Sequence, residues 1–258
     1  MGQPIQKITL KGYKSIKVLE DFDLSDINVL IGANGSGIAV VEGPTEQTFV
    51  REVLGPWLWS NSRVELVASP AGKPGKKGGN NYDKAKRDII NHLKNPHFSR
   101  VTTFFDFYGM GTSWPGRELS RNKTHARKPK TVEAAIREDV RAVVGDDLIP
   151  RFMPYIQMHE YEALLFSETT ALPEVMRDED SKEQLDEIRA EFTNPEEIND
   201  SPVTAPSKRI EGIYPYYRKP LHGVLAAKRI TVEVMIGECP HFNEWVTALG
   251  ELGDEEEV

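Results

Sequence analysis

The chain has 258 residues, with 40 acidic side chains against 32 basic ones, a formal net charge of −8 and a single cysteine, Cys239. That length accommodates one large or two small domains, and one cysteine excludes both an internal disulfide framework and a multi-cysteine zinc site. No apolar run reaches membrane-span length, residues 1–7 lack the basic-then-apolar pattern of a signal peptide, and no overall positive field advertises nucleic acid, so the expectation is a cytoplasmic, soluble protein with no membrane partner.

In chain order, residues 8–16 alternate as a strand does, and residues 27–31 form a short apolar strand that leads into glycines. Gly32 and Gly37 have the spacing of a phosphate loop, but Ile38 and Ala39 occupy the positions of its lysine and hydroxyl. An apolar pair supplies neither the cation nor the metal ligand of phosphoryl transfer, so no ATP site is expected there. Residues 38–42 read as an apolar strand closing on Glu42. Pro44 then opens a helix whose apolar face is Phe49, Val50, Val53 and Leu54. A second strand is predicted over 64–67, followed by a glycine-rich loop carrying Lys73, Lys76 and Lys77. A helix is predicted over 82–93, a β-branched and aromatic strand over 100–106, and a helix over 132–144. Residues 152–158 read as a further strand, with a helix starting at 159–165.

Strand–helix alternation of this kind predicts an α/β fold, a parallel sheet flanked by helices, with ligands outside the carboxyl ends of the strands. A short N-terminal β appendage and a helical C-terminal region with an acidic tail complete the expected layout. It divides as residues 1–37, a core at 38–170 and an extension at 171–258.

Carboxylates fall at the predicted strand ends. Glu42 follows the first, with Glu46 one helical turn on; Asp106 ends the third; Glu160 and Glu162 follow the fourth. A charge that closes an apolar strand is costly unless partnered. Three strand ends delivering carboxylates to one sheet edge suit a hard cation, Mg2+ or Mn2+, and phosphodiester cleavage assisted by it. Duller readings exist for several of these residues: Glu46 fits a first-turn carboxylate favoured by the helix dipole, Glu162 a surface ion pair, and His159 a satisfied structural histidine. Basic side chains at Lys73, Lys76, Lys77 and Arg121, with Lys208 and Arg209 further on, are candidate contacts to DNA or RNA; solvated surface is the ordinary alternative. Tyr214, Tyr216 and Tyr217 fit either base stacking or packing beside Pro215 and Pro220.

Residues 5–37 resemble the start of an ABC/SMC-type ATPase of the overcoming-lysogenization-defect kind, truncated within its Walker A motif. From residue 38 the resemblance changes. Val40-Val41-Glu42-Gly43-Pro44-Thr45-Glu46, Phe104-Phe105-Asp106-Phe107-Tyr108-Gly109 and Gln157-Met158-His159-Glu160-Tyr161-Glu162 look like a toprim-like domain. More narrowly, together with Thr204-Ala205-Pro206-Ser207-Lys208-Arg209 and Glu238-Cys239-Pro240-His241-Phe242-Asn243-Glu244-Trp245, they resemble a bacterial family of unknown function whose genes commonly neighbour ABC-type ATPase genes. The resemblance implies a Mg2+-dependent nuclease with Glu42 as the toprim glutamate and Asp106 as its first aspartate. It further implies an ATPase partner and a role as effector of an antiphage or mobile-element defence pair. Tyr108 departs from the pattern, standing where a second aspartate is expected, which leaves Glu160 and Glu162 to supply further ligands. The competing reading is a non-catalytic toprim-like module that binds nucleic acid or nucleotide and docks on the ATPase. Self-association of the chain stays open.

Overall fold

The computed structural model describes residues 7–13, 16–23, 35–72, 81–199 and 201–253. The chain begins with an antiparallel hairpin, β1 (Lys7–Tyr13) and β2 (Ile16–Asp23), which is the expected N-terminal β appendage. The strand predicted at 27–31 and Gly32 of the phosphate-loop spacing lie outside the described residues. β3 (Gly35–Val41) follows, then α1 (Pro44–Phe49), a π-turn (Val50–Leu54), α2 (Gly55–Ser62) and β4 (Val64–Pro70). After α3 (Tyr82–Leu93) and β5 (Arg100–Asp106) come α4 (Arg127–Val144) and two short strands, β6 (Phe152–Met153) and β7 (Ile156–Gln157). A 3-10 turn (Tyr161–Ser167) leads into α5 (Ala171–Met176), α6 (Lys182–Ala190) and α7 (Pro206–Ile213). A second π-turn (Lys219–Gly223), α8 (Val224–Ile230), α9 (Val232–Glu238) and α10 (Pro240–Gly250) close the described chain.

The sheet runs β4-β3-β5-β6 with β7 continuing beside β5, every pairing parallel. Its two central strands are buried on both faces, as parallel strands under helices are. Alternation along β3 sends Ile38 and Val40 to the side covered by α3 and α4, where Ile89, Leu93, Ile136 and Val140 meet them. Ala39 and Val41 face the other side, with Phe49, Leu54, Val246 and Leu249. That second core draws on α1, α2 and the helices from α5 to α10 alike, so the C-terminal helices pack against the sheet itself. Phe104 is at its centre, edge-on to Phe49 at 5.8 Å, Tyr155 at 5.7 Å and Trp245 at 5.5 Å. Pairs of this geometry each add about 0.5–1.5 kcal/mol beyond area burial.

Three expected elements differ in detail. β3 starts at Gly35 rather than residue 38, so Gly35, Ser36 and Gly37 are ladder residues paired with Val64, Glu65 and Leu66. Ser36 is tied on the other side by Ser99, whose N–H donates to its carbonyl at 2.8 Å. A Cβ on Gly37 would stand 3.1 Å from Leu66 Cδ1; these glycines serve close strand packing, with their amides spent on the sheet. The strand predicted at 152–158 is broken, because Pro154 has no N–H to give. Thr103 bridges the gap: its hydroxyl donates to Tyr155 O and accepts from Tyr155 N, both at 2.8 Å. The helix predicted from residue 159 is instead the 3-10 turn that starts at Tyr161 and is buried from Tyr161 to Phe166. Among the described residues, no helix is long and apolar enough to cross a membrane.

Candidate active site

The carboxyl ends of β3 and β5 hold the acidic residues in place through backbone donors. Glu42, just past β3, is anchored by its own N–H to Phe104 O at 3.1 Å, and its Oε2 accepts from Asp106 N at 3.1 Å. Asp106 Oδ1 in turn accepts from Tyr161 N at 2.8 Å, which caps the 3-10 turn and explains why that segment winds tightly from Tyr161. Glu46 sits in the first turn of α1, buried, with Gly43 at the N-cap. Glu160 Oε2 accepts from Ser207 N at 2.8 Å, the amide end of α7, where the helix dipole favours a negative charge. Glu162 is fully buried on the next residue but one.

Into this group comes Lys219 from the second π-turn. Its Nζ lies 2.9 Å from Glu162 Oε2 and 4.0 Å from Glu160 Oε1. Among the described residues five carboxyl groups thus share one ammonium, and the electrostatics follow from that excess. Burial pushes Glu46 up to about 7, with the Glu42 charge adding to it. Burial likewise raises Glu162 to about 7, against the pull of Lys219. Asp106 is held well above the usual carboxylate range by burial and then by Glu46 and Glu42. Glu42 is raised by burial, partly offset by the Asp106 amide. Burial alone would lower Lys219, but Glu162, Asp106 and Glu160 outweigh it and hold the ammonium above its ordinary range.

The structure therefore brings Glu42, Glu46, Asp106, Glu160 and Glu162 to one place, through elements far apart in sequence. It also separates their roles. Glu160 and Glu162 are engaged by Ser207 and Lys219, whereas Glu42, Glu46 and Asp106 have no cationic side chain within ion-pair distance among the described residues. Glu162 keeps one oxygen, Oε1, buried with no hydrogen-bond partner. Among the described residues no three acidic, histidine or cysteine side chains form a ready ligand array. Oxygen donors in surplus over cations, with a buried carboxylate oxygen unsatisfied, nonetheless fit a hard divalent ion, which needs one or two carboxylates and takes its remaining ligands from water and phosphate.

Of the candidate nucleic-acid contacts, Lys73, Lys76 and Lys77 lie outside the described residues. Lys208 pairs with Glu211 at 2.6 Å, and Arg209 with Glu191 at 3.3 Å while lying over the Phe192 ring, so both are occupied within α7 and its neighbours. Arg121 is exposed and lines a polar hollow of about 340 Å3 after β5. His159 is buried with Nε2 3.2 Å from His125 Nδ1, and Tyr108 N donates to its carbonyl at 2.9 Å. Tyr214 and Tyr217 are packed inside, whereas Tyr216 is 86% exposed. Volume does not mark the acidic site: a hollow of about 770 Å3 lies between α2 and the outer edge of β4 and takes in none of these carboxylates.

Lys219 and the Ser207 amide are the members that sequence reasoning missed. Lys219 stands between Arg218 and Pro220 in no motif, and only the surplus of buried carboxylates signals that a cation must come from somewhere.

Residues 41–250 match the family described as a domain of unknown function (DUF4276). The chain belongs to the DUF4276 family. The match starts on the last residue of β3, directly before Glu42, and ends with α10, so it takes in all five carboxylates and Lys219 of this DUF4276 protein. No curated protein and no solved structure matches the chain.

Proposed function

We propose that this DUF4276 protein is a Mg2+-dependent nuclease of toprim type that hydrolyses phosphodiesters, with an ABC-type ATPase as partner in a defence system. The observation that carries the reading is the convergence of Glu42, Glu46 and Asp106 at the carboxyl end of a parallel sheet. Among the described residues no cationic side chain pairs with them, and burial and their mutual charge push their carboxyl groups up. Glu42, Glu46 and Asp106 are the residues that would hold the ion. When bound, it would supply positive charge to the phosphodiester and lower the proton affinity of an attacking water. Lys219 presents an ammonium beside the same carboxylates, fixed by Glu162, and would bind a non-bridging phosphate oxygen. The Asp106 and Tyr161 amides lock Glu42 and Asp106 in orientation, so neither carboxylate has to reorganise when substrate arrives. The ring cluster of Phe104, Phe49 and Tyr161 packs against the inner side of the site.

The test is cleavage of DNA and RNA with Mg2+ or Mn2+, alone and with the ATPase, by wild type, Glu42→Gln and Asp106→Asn. Cleavage abolished in both variants is expected; equal cleavage in all three rejects the reading. A second reading, a non-catalytic module that binds nucleic acid or nucleotide and docks on the ATPase, draws on one observation: Lys219 already neutralises part of the carboxylate group without any added ion.

A further inference from the structure

The hollow that follows β5 is built from Met110, Thr112, Arg117, Glu118, Arg121 and Lys128, and encloses about 340 Å3. It lies on the segment that leaves the sheet just beyond Asp106. Phe107 N is tied to Gln157 O at 2.9 Å and Tyr108 N to His159 O at 2.9 Å, which fixes the start of this segment to the sheet edge that carries the carboxylates. The Arg117 guanidinium lies over the Phe107 ring, 4.0 Å from its centroid, with Lys128 Nζ 5.7 Å from the same ring. Stacking of this kind holds the guanidinium fork in one orientation before any ligand arrives.

Arg117 and Arg121 differ from several other described cations. Lys208, Arg209, Lys219, Lys228 and Arg229 all have carboxylates within ion-pair distance. Among the described residues neither Arg117 nor Arg121 has one, although Glu118 lines the same hollow. Arg117 Nε is buried without a hydrogen-bond acceptor. Arg117, Arg121 and Lys128 against Glu118 give the lining of the hollow an excess of positive charge.

We propose that this hollow is a phosphate-binding subsite that grips the backbone of the nucleic-acid strand whose phosphodiester is presented to Glu42 and Asp106. The proposal rests on the nuclease reading for the identity of its ligand. The two signs of charge would divide the work: the carboxylates would hold a cation for the reacting phosphate, while Arg117, Arg121 and Lys128 would hold another phosphate of the same strand directly.

Binding, measured without cleavage, tests this. Fluorescein-labelled short DNA and RNA oligonucleotides are titrated with the full chain in EDTA over a series of KCl concentrations, followed by anisotropy. Wild type is compared with Arg121→Gln, Lys128→Gln, the double variant and Asp106→Asn. Arg117 is left intact because it packs on Phe107, and thermal melts verify that the variants fold. The double variant is expected to bind at least about tenfold more weakly, equally for all sequences, and its salt slope should be shallower by about one for each phosphate it no longer neutralises. Asp106→Asn removes a carboxylate, not a cation, and should bind no more weakly than wild type. Oligonucleotide affinity and salt slope unchanged in the double variant overturn the subsite, as does wild type that binds no oligonucleotide, or polyglutamate competing better than the oligonucleotides. Binding that depends on Arg121 and Lys128 without cleavage under any divalent ion leaves the subsite standing and removes the nuclease reading instead.

Discussion

Lys219 Nζ and Glu162 Oε2 are 2.9 Å apart, joined across 57 residues of sequence, and Glu162 is fully buried. A buried carboxylate that loses its paired ammonium is left uncompensated, which costs on the order of 3–5 kcal/mol. Lys219→Met is therefore expected to destabilise the fold strongly. Glu162→Gln should cost less, and the double variant should recover much of the loss because both charges leave together. Urea denaturation of the four proteins in a double-mutant cycle reads the coupling; additive effects would mean that the pair contributes nothing.

The carboxyl cluster should make stability depend on pH in an unusual direction. Glu46 and Glu162 are raised to about 7 by burial, from an ordinary 4.5. Between those values the folded chain holds protons that the unfolded chain has released. Stability from these groups is therefore greatest below about pH 4.5 and declines as pH rises through 7, at up to about 1.4 kcal/mol per pH unit for each group. The melting temperature in EDTA should accordingly rise from pH 8 to pH 6. A divalent ion competes with those protons, so added Mg2+ should raise the melting temperature more at pH 8 than at pH 6. A flat pH response that Mg2+ does not alter would contradict the charge excess.

Glu42 and Asp106 each make one hydrogen bond that a neutral amide can keep. Glu42→Gln retains an oxygen for Asp106 N, and Asp106→Asn retains one for Tyr161 N. Both are expected to melt within a few degrees of wild type while cleavage falls by at least about a hundredfold, an expectation that treats each as a ligand of the essential ion. The alanine variants strand a backbone N–H and should additionally lose about 1–3 kcal/mol. Melting curves alongside cleavage assays separate the two effects, and an amide variant with full activity would remove its residue from the site.

Much of the carboxylate set was legible because a charge at the end of an apolar strand is a local signal. Residues 100–106 carry their β-branched and aromatic pattern up to Asp106, and the strand ends where predicted. Residues 82–93 were similarly clear, with Asn81 capping the helix through Lys84 N at 3.0 Å. What sequence hid was non-local. No periodicity reveals that Gly35–Gly37 pair with β4 and lie beside Ser99, or that Thr103 would replace a ladder rung missing at Pro154. Lys219 belongs to the same class, since its role exists only once α7 and the second π-turn fold over the sheet edge. Ion pairing of Lys208 and Arg209 is equally invisible in a linear reading of basic residues.

Gly223, at the end of the π-turn that carries Lys219, gives the last prediction. A Cβ there would stand 2.7 Å from Tyr217 Oη and 3.2 Å from Tyr161 Cε1, both on buried rings, while Gly223 O accepts from Tyr161 Oη at 3.2 Å. Neither ring has room to retreat, so the methyl group of Gly223→Ala must displace the π-turn and move Lys219 with it. Overpacking of this kind costs about 1–3 kcal/mol. Cleavage should fall further than the reduced stability explains when assayed well below the melting temperature, since Tyr161 also supplies the amide that orients Asp106. Tyr217→Phe removes the closest atom of that clash, and added to Gly223→Ala it should restore part of both stability and activity. An alanine variant with wild-type melting and cleavage would show that the turn tolerates the shift and that Lys219 is not held through it.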